Sequence, residues 1–95
     1  MNQAQMMKMA RKMQADLEKR KAELASQEFT VKKQGVIVTI FGNRKISKIE
    51  IDEILLDPED KDLLEDLMLI AINDAIELVD KKNAEISDVS GGMGI

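Results

Sequence analysis

The run from Ile49 to Ala75, IEIDEILLDPEDKDLLEDLMLIAINDA, constrains the fold more than any other part of this chain. Ile49 and Ile51 alternate with polar residues, the period of two that marks a half-buried strand. Asp57-Pro58 then opens a helix. Aspartate is a favoured N-cap, and proline suits the first helical position, where its missing N–H has no partner to lose. Leu64, Leu67, Met68, Ala71, Ile72, Ala75, Ile76, Leu78 and Val79 take up about half of the helix circumference. Leu63, Leu69 and Ile70 fall on the other, otherwise polar, arc. A helix that is apolar beyond one stripe needs cover from more than one side. The chain's own sheet can supply one side, and the simplest cover for the other is a second copy of the chain.

Length supports that reading. Ninety-five residues make one small domain. A domain of this size buries only about 60–65% of its unfolded surface, so association is a natural source of further burial.

The segment 1–26 is rich in Ala, Met, Lys, Gln, Glu and Leu and has no Gly or Pro, which predicts one long helix. Met6, Ala10, Met13, Leu17 and Leu24 repeat at steps of four, three, four and seven, a heptad-like seam interrupted at Arg20. Such a helix, about 35 Å long, exceeds what a small globule can cover, so part of it is expected to project. Residues 28–52 read as three strands. EFTVKK alternates, Lys33-Gln34-Gly35 marks a turn, and VIVTIF is apolar on both faces, as in a strand covered on both sides. Gly42-Asn43 predicts a hairpin in which glycine takes the positive φ of a type II′ turn, and KISKIEID alternates again. The second helix is expected over 58–89 with a break near its end, and 90–95 as a flexible tail. Two terminal helices around a three-stranded antiparallel meander make the fold class α+β.

Composition removes most chemistry. The chain has no Cys and no His, which excludes disulfides and thiolate sites and removes the commonest general base and metal ligand. Absence of disulfides fits a reducing cytoplasm. With only Phe29 and Phe41 as aromatics, a base-stacking platform for single strands is not expected. Lys8, Arg11 and Lys12 interrupt the N-terminal apolar stretch before a signal core could form, and the longest apolar run, Leu67–Ile72, is far too short to span a bilayer. Glu59, Asp60 and Asp62 crowd the start of the second helix, where its dipole favours negative charge. Pro58 and Lys61 sit where a calcium loop would need ligands, so no metal site is read there. Asp66, Asp74 and Glu77 read as a solvated face. No phosphate loop or nucleophile motif occurs, and neither an enzyme, a cofactor nor a small-molecule substrate is expected.

What remains is charge. Residues 1–48 hold 11 Lys/Arg against 4 Asp/Glu, and residues 49–95 hold 3 against 14, within a net charge of −4. A basic half suggests a polyanion-binding face, although the two halves could also neutralise each other. Lys and Arg on a projecting helix can neutralise phosphates and release counterions. No base-reading element is present, so binding to duplex DNA would rest on backbone and shape.

The sequence resembles the YbaB/EbfC family of bacterial nucleoid-associated proteins over nearly its whole length. NQAQMMKMARKMQADLEK is similar to the family's first helix, and VIVTIFGNRKISKIEID to its strand–turn–strand. LEDLMLIAINDA looks like its L-x-D-L-x-x-x-A-x-N-x-A helix, with Leu64, Asp66, Leu67, Ala71, Asn73 and Ala75 on the motif. ISDVSGGMGI resembles its Gly-Met ending. The family's Gly-rich N-terminal lead is missing, and the first hairpin turn is shorter than usual. The resemblance implies an intertwined homodimer with projecting helices that grip duplex DNA in the cytoplasmic nucleoid. It points to Lys8, Arg11 and Lys12 of the first helix and Lys81 and Lys82 of the second as DNA contacts. Val38, Ile40, Leu63, Leu67, Leu69 and Ile70 are the expected dimer interface. The alternative is a protein-interaction module that docks through the Met-rich first helix without binding DNA.

Overall fold

A computed structural model describes residues 2–92. The order is α1 (Gln3–Ser26), β1 (Glu28–Lys33), β2 (Val36–Phe41), β3 (Ile46–Ile51) and α2 (Lys61–Gly92), with 3-10 turns at Glu53–Leu55 and Pro58–Asp60 between β3 and α2. The α+β class stands as expected. The strands pair antiparallel in the order β1-β2-β3.

Local chemistry accounts for the boundaries. Asn2 caps α1 by accepting the Gln5 amide at 2.8 Å. Asp57 caps the turn leading into α2 by accepting the Glu59 amide at 2.9 Å, with Pro58 in the first position. The helix then runs unbroken to Gly92, beyond the expected end at Val89; the remainder of the expected tail, residues 93–95, lies outside the described residues. Gln34 and Gly35 take φ of +46° and +97°, the pair of left-handed residues that a two-residue hairpin needs.

The second hairpin differs from expectation. Its left-handed residue is Arg44, with φ of +73°, following a turn closed by the Arg44 amide donating to the Phe41 carbonyl. Gly42 is needed for closeness, not for φ. A Cβ at Gly42 would lie 1.8 Å from the Leu24 carbonyl oxygen. The Gly42 amide donates to the Gln27 carbonyl at 3.0 Å, and its own carbonyl accepts from Asn83 Nδ2 at 3.3 Å. One glycine therefore joins α1, the sheet and α2.

The core is the contact between β2 and α2. Val36, Val38 and Ile40 are fully buried on one face of the sheet, against Leu67, Ala71, Ala75 and Val79. The two alanines let the helix lie close. Only that face of β2 is sealed, because Ile37, Thr39 and Phe41 on the other face are half-buried. The strand is apolar on both faces, but α2 covers one. Val38 and Ile40, expected at an intermolecular surface, pack here against α2 of the same chain, and Leu67 on α2 faces them with 5% exposure.

The molecule is long, 71 × 23 × 12 Å, with a radius of gyration of 19.5 Å. A compact domain of this length would have a radius of about 12 Å. Its accessible surface is 7333 Å², against about 5500 Å² for a compact protein of this mass. The excess comes from helices that run past the sheet.

Candidate nucleic-acid interface

From Gln3 to Asp16 every residue of α1 is exposed. The stripe Met6, Met13, Leu17 and Leu24 begins in solvent and ends on the body, where Leu17 is half-buried and Leu24 is buried. Lys8, Arg11, Lys12 and Lys19 occupy the opposite face, within an arc of about 100° at 3.6 residues per turn. Between residues 3 and 15 this helix has three basic side chains and no acidic one.

The ion pairs sort the remaining cations. Lys33 pairs with Asp74 at 3.3 Å, Arg44 with Asp80 at 3.5 Å, and Lys48 with Glu50 at 2.9 Å. The first two tie the sheet to α2. All are exposed and each contributes about 1 kcal/mol or less. Their effect here is to offset Lys33, Arg44 and Lys48, while Lys32 and Lys45 form no such pair among the described residues. Among the described residues none of Lys8, Arg11, Lys12, Lys19, Arg20 or Lys21 forms such a pair. Six of the nine Lys and Arg without such a pair among the described residues thus lie on α1, the others being Lys32, Lys45 and Lys81.

Lys81 and Lys82 stand differently. Lys81 borders an open notch of about 570 Å³ whose other walls are Asp74, Glu77, Leu78 and Asp80. Asp74 and Asp80 are held by Lys33 and Arg44, and Lys81 itself forms no ion pair among the described residues. Lys82 is half-buried and pairs with Glu85 at 3.7 Å. These two lysines lie on α2, whereas Lys8, Arg11 and Lys12 lie on α1.

The expected interface residues divide in the same way. Leu63, Leu69 and Ile70 are 46, 61 and 44% exposed. Leu69 shares its flank of α2 with Asp80, which reaches the β2–β3 turn through Arg44. On that side β3 leaves Ile46 and Ile49 open, since α2 packs over β1 and β2. Ile54 and Leu56 are also exposed. Sequence reasoning missed these four. Ile46 and Ile49 belong to a strand that reads as half-buried, but which strand a helix leaves uncovered is decided by tertiary packing, and Ile54 and Leu56 lie at the 3-10 turn that follows. Among the described residues no cluster of His, Cys, Asp or Glu is arranged to hold a metal, and no helix is long and apolar enough to cross a membrane.

Fold and surface together define a small α+β protein that displays an unpaired basic helix beside exposed apolar side chains. The chain belongs to the YbaB/EbfC DNA-binding family, whose model matches residues 1–93. It is 49% identical over 86 residues to a nucleoid-associated protein of Mycoplasmopsis pulmonis, covering 90% of this chain and 86% of that one. It is 47% identical over 88 residues to one of Metamycoplasma arthritidis, covering 93% of each. The fold matches the crystal structure of an uncharacterized protein from Helicobacter pylori, with a TM-score of 0.73 at 21% identity, over 92% of this chain and 94% of that chain.

Proposed function

We propose that this chain binds duplex DNA as an intertwined homodimer and acts in the cytoplasmic nucleoid, with no catalytic role. Lys8, Arg11 and Lys12 supply the main phosphate contacts. The observation that carries this reading is their position on a projecting helix with no acidic partner within hydrogen-bonding reach. Contacts made by flexible cations on an exposed helix bind phosphates and give little base discrimination. Lys81 and Lys82 contribute as a secondary site, weakened by the acidic residues that line the notch beside Lys81 and by the pairing of Glu85 with Lys82. Relatives that carry the name nucleoid-associated protein support the cellular setting.

The dimer covers the exposed apolar surface of Leu63, Leu69 and Ile70, joined by Ile46 and Ile49 on the edge strand. Such residues are costly to leave in water, at about 25 cal/mol for each Å² of apolar area. An overall acidic chain can bind DNA because its charge is segregated: between residues 3 and 15 α1 has three basic side chains and no acidic one.

An anisotropy titration against mixed-sequence duplex DNA at several salt concentrations tests the reading. Affinity should fall steeply and log-linearly with salt and vary little between sequences. No binding at low salt, or binding insensitive to salt, would remove the proposal. In that case the exposed methionines of α1 would favour the protein-interaction alternative, tested by recovery of a stoichiometric protein partner after nuclease treatment.

A further inference from the structure

The basic arc is only half of the projecting helix. Met6, Met7, Met9 and Met13 are 58, 52, 52 and 55% exposed. With Ala10 they fill the opposite arc, about 160° wide at 3.6 residues per turn. When Lys8, Arg11 and Lys12 hold phosphates, this arc faces away from the duplex, so DNA binding leaves it bare. Met6 and Met13 continue the stripe that the body covers at Leu17 and Leu24. One seam thus starts in packed structure and ends in water.

We propose that the bare seam takes the α1 tip of a second copy, laid antiparallel, so that two copies join by their tips while each basic arc faces its own duplex. This rests on the DNA-binding reading for its consequence, the bridging of two DNA segments, but not for the contact itself. Three observations favour another copy as the occupant. The seam is self-complementary: between residues 3 and 15 its arc contains Gln3, Gln14, Ala10 and the methionines, and no charge. Two tips therefore meet without like charges in contact. Second, the seam is continuous with an existing helix contact, and methionine adapts to irregular partners. Third, only the antiparallel alignment is open. Beyond Leu17 the stripe is occupied by the chain's own body, and a parallel partner would bring its body to the same place. With Met6 of one tip opposite Met13 of the other, the two Ala10 residues fall side by side at the centre, and the opposed helix dipoles attract.

The overlap, residues 3–16, is only about 21 Å long. That is well short of the roughly 800 Å² per partner of a stable interface. Free copies should pair weakly, and copies held close together on DNA should pair more, through effective concentration.

The chain has no cysteine, so single cysteines report cleanly. Under mild oxidation Ala10→Cys should form a disulfide-linked pair several-fold faster than Ala15→Cys, which lies on the basic arc. The linked species should have at least twice the native mass of the wild-type protein. Adding M6Q/M13Q, which keeps the charge and the helix propensity, should slow the Ala10→Cys reaction to the Ala15→Cys rate. In a second arm, bead-bound duplex saturated with protein should capture a labelled second duplex. M6Q/M13Q should reduce that capture several-fold while leaving affinity for a single duplex within twofold. Cross-linking needs no DNA, so it reads the contact even if DNA binding fails. Equal rates at the two cysteines would overturn the proposal, as would a linked species of unchanged native mass or capture unaffected by M6Q/M13Q. Methionine-dependent sedimentation with phosphatidylglycerol vesicles without Ala10→Cys linkage would overturn it in favour of a lipid surface.

Discussion

Gly42→Ala is the substitution that most directly tests how the fold positions α1. The new Cβ would lie 1.8 Å from the Leu24 carbonyl oxygen and 2.5 Å from its carbon. Neither atom is the end of a flexible side chain, so the end of α1 must lift from the sheet by more than an ångström. Lifting exposes Leu24, now 7% exposed, at a cost of about 1.5–3 kcal/mol. It also strains the Gly42 amide bond to Gln27 and the Asn83 bond to the Gly42 carbonyl. Each of these is worth about 1 kcal/mol. A loss of about 3 kcal/mol is expected, which lowers Tm by about 12–24 °C in a domain of this size. Thermal denaturation followed by circular dichroism measures it, and amide exchange at Gln27 and Gly42 locates it. Gly35→Ala is the control: its penalty arises from a φ of +97° and a Leu55 contact at 3.0 Å, remote from α1. DNA affinity should fall in Gly42→Ala although no charge is removed, because the basic helix loses its seat. A Tm within 2 °C of wild type, with the Gly42 amide still protected, would refute the reasoning.

Other substitutions separate core from surface. Ile40→Ala should cost about 2–5 kcal/mol in urea unfolding without changing native mass, since Ile40 is filled in by its own α2. Leu69→Glu should reduce the native mass in light scattering to that of one chain while Tm stays nearly constant; an unchanged mass would mean that this flank is not the dimer surface. Lys81→Ala with Lys82→Ala should weaken DNA binding less than twofold, because acidic residues line the notch beside Lys81 and Glu85 pairs with Lys82. A larger loss would make the end of α2 a principal contact.

The elements were legible because local signals agreed with the tertiary outcome. Asp57-Pro58 marks the approach to the second helix, capping the 3-10 turn that leads into α2 at Lys61, and the alternation of β1 to β3 needed only turns that Gly35 and Asn43 mark. What escaped was which faces meet. Val38 and Ile40 look available for a partner when the strand is read alone, since its alternate residues are apolar too. Nothing local says that α2 takes that side and leaves Ile46 and Ile49 open. Gly42 shows the same limit. A glycine in a hairpin suggests a positive φ, but its actual task, letting the Leu24 carbonyl approach, links residues far apart in sequence. For the candidate site, the charges of α1 could be counted from the sequence. Their isolation from carboxylates, and the capture of Lys33 and Arg44 by Asp74 and Asp80, depend on where α2 lies.

The central claim is that α1 contacts DNA through Lys8, Arg11 and Lys12. Comparing the salt dependence of duplex binding by wild type and by the triple alanine variant tests it most directly. All three side chains are exposed, so folding should be unaffected. Each phosphate contact adds about 0.9 to the slope of log affinity against log salt. The variant should therefore bind every sequence more weakly, with a slope shallower by about 2.7 for each helix engaged. Equal affinity and an equal slope would contradict the account and move the DNA contact off α1.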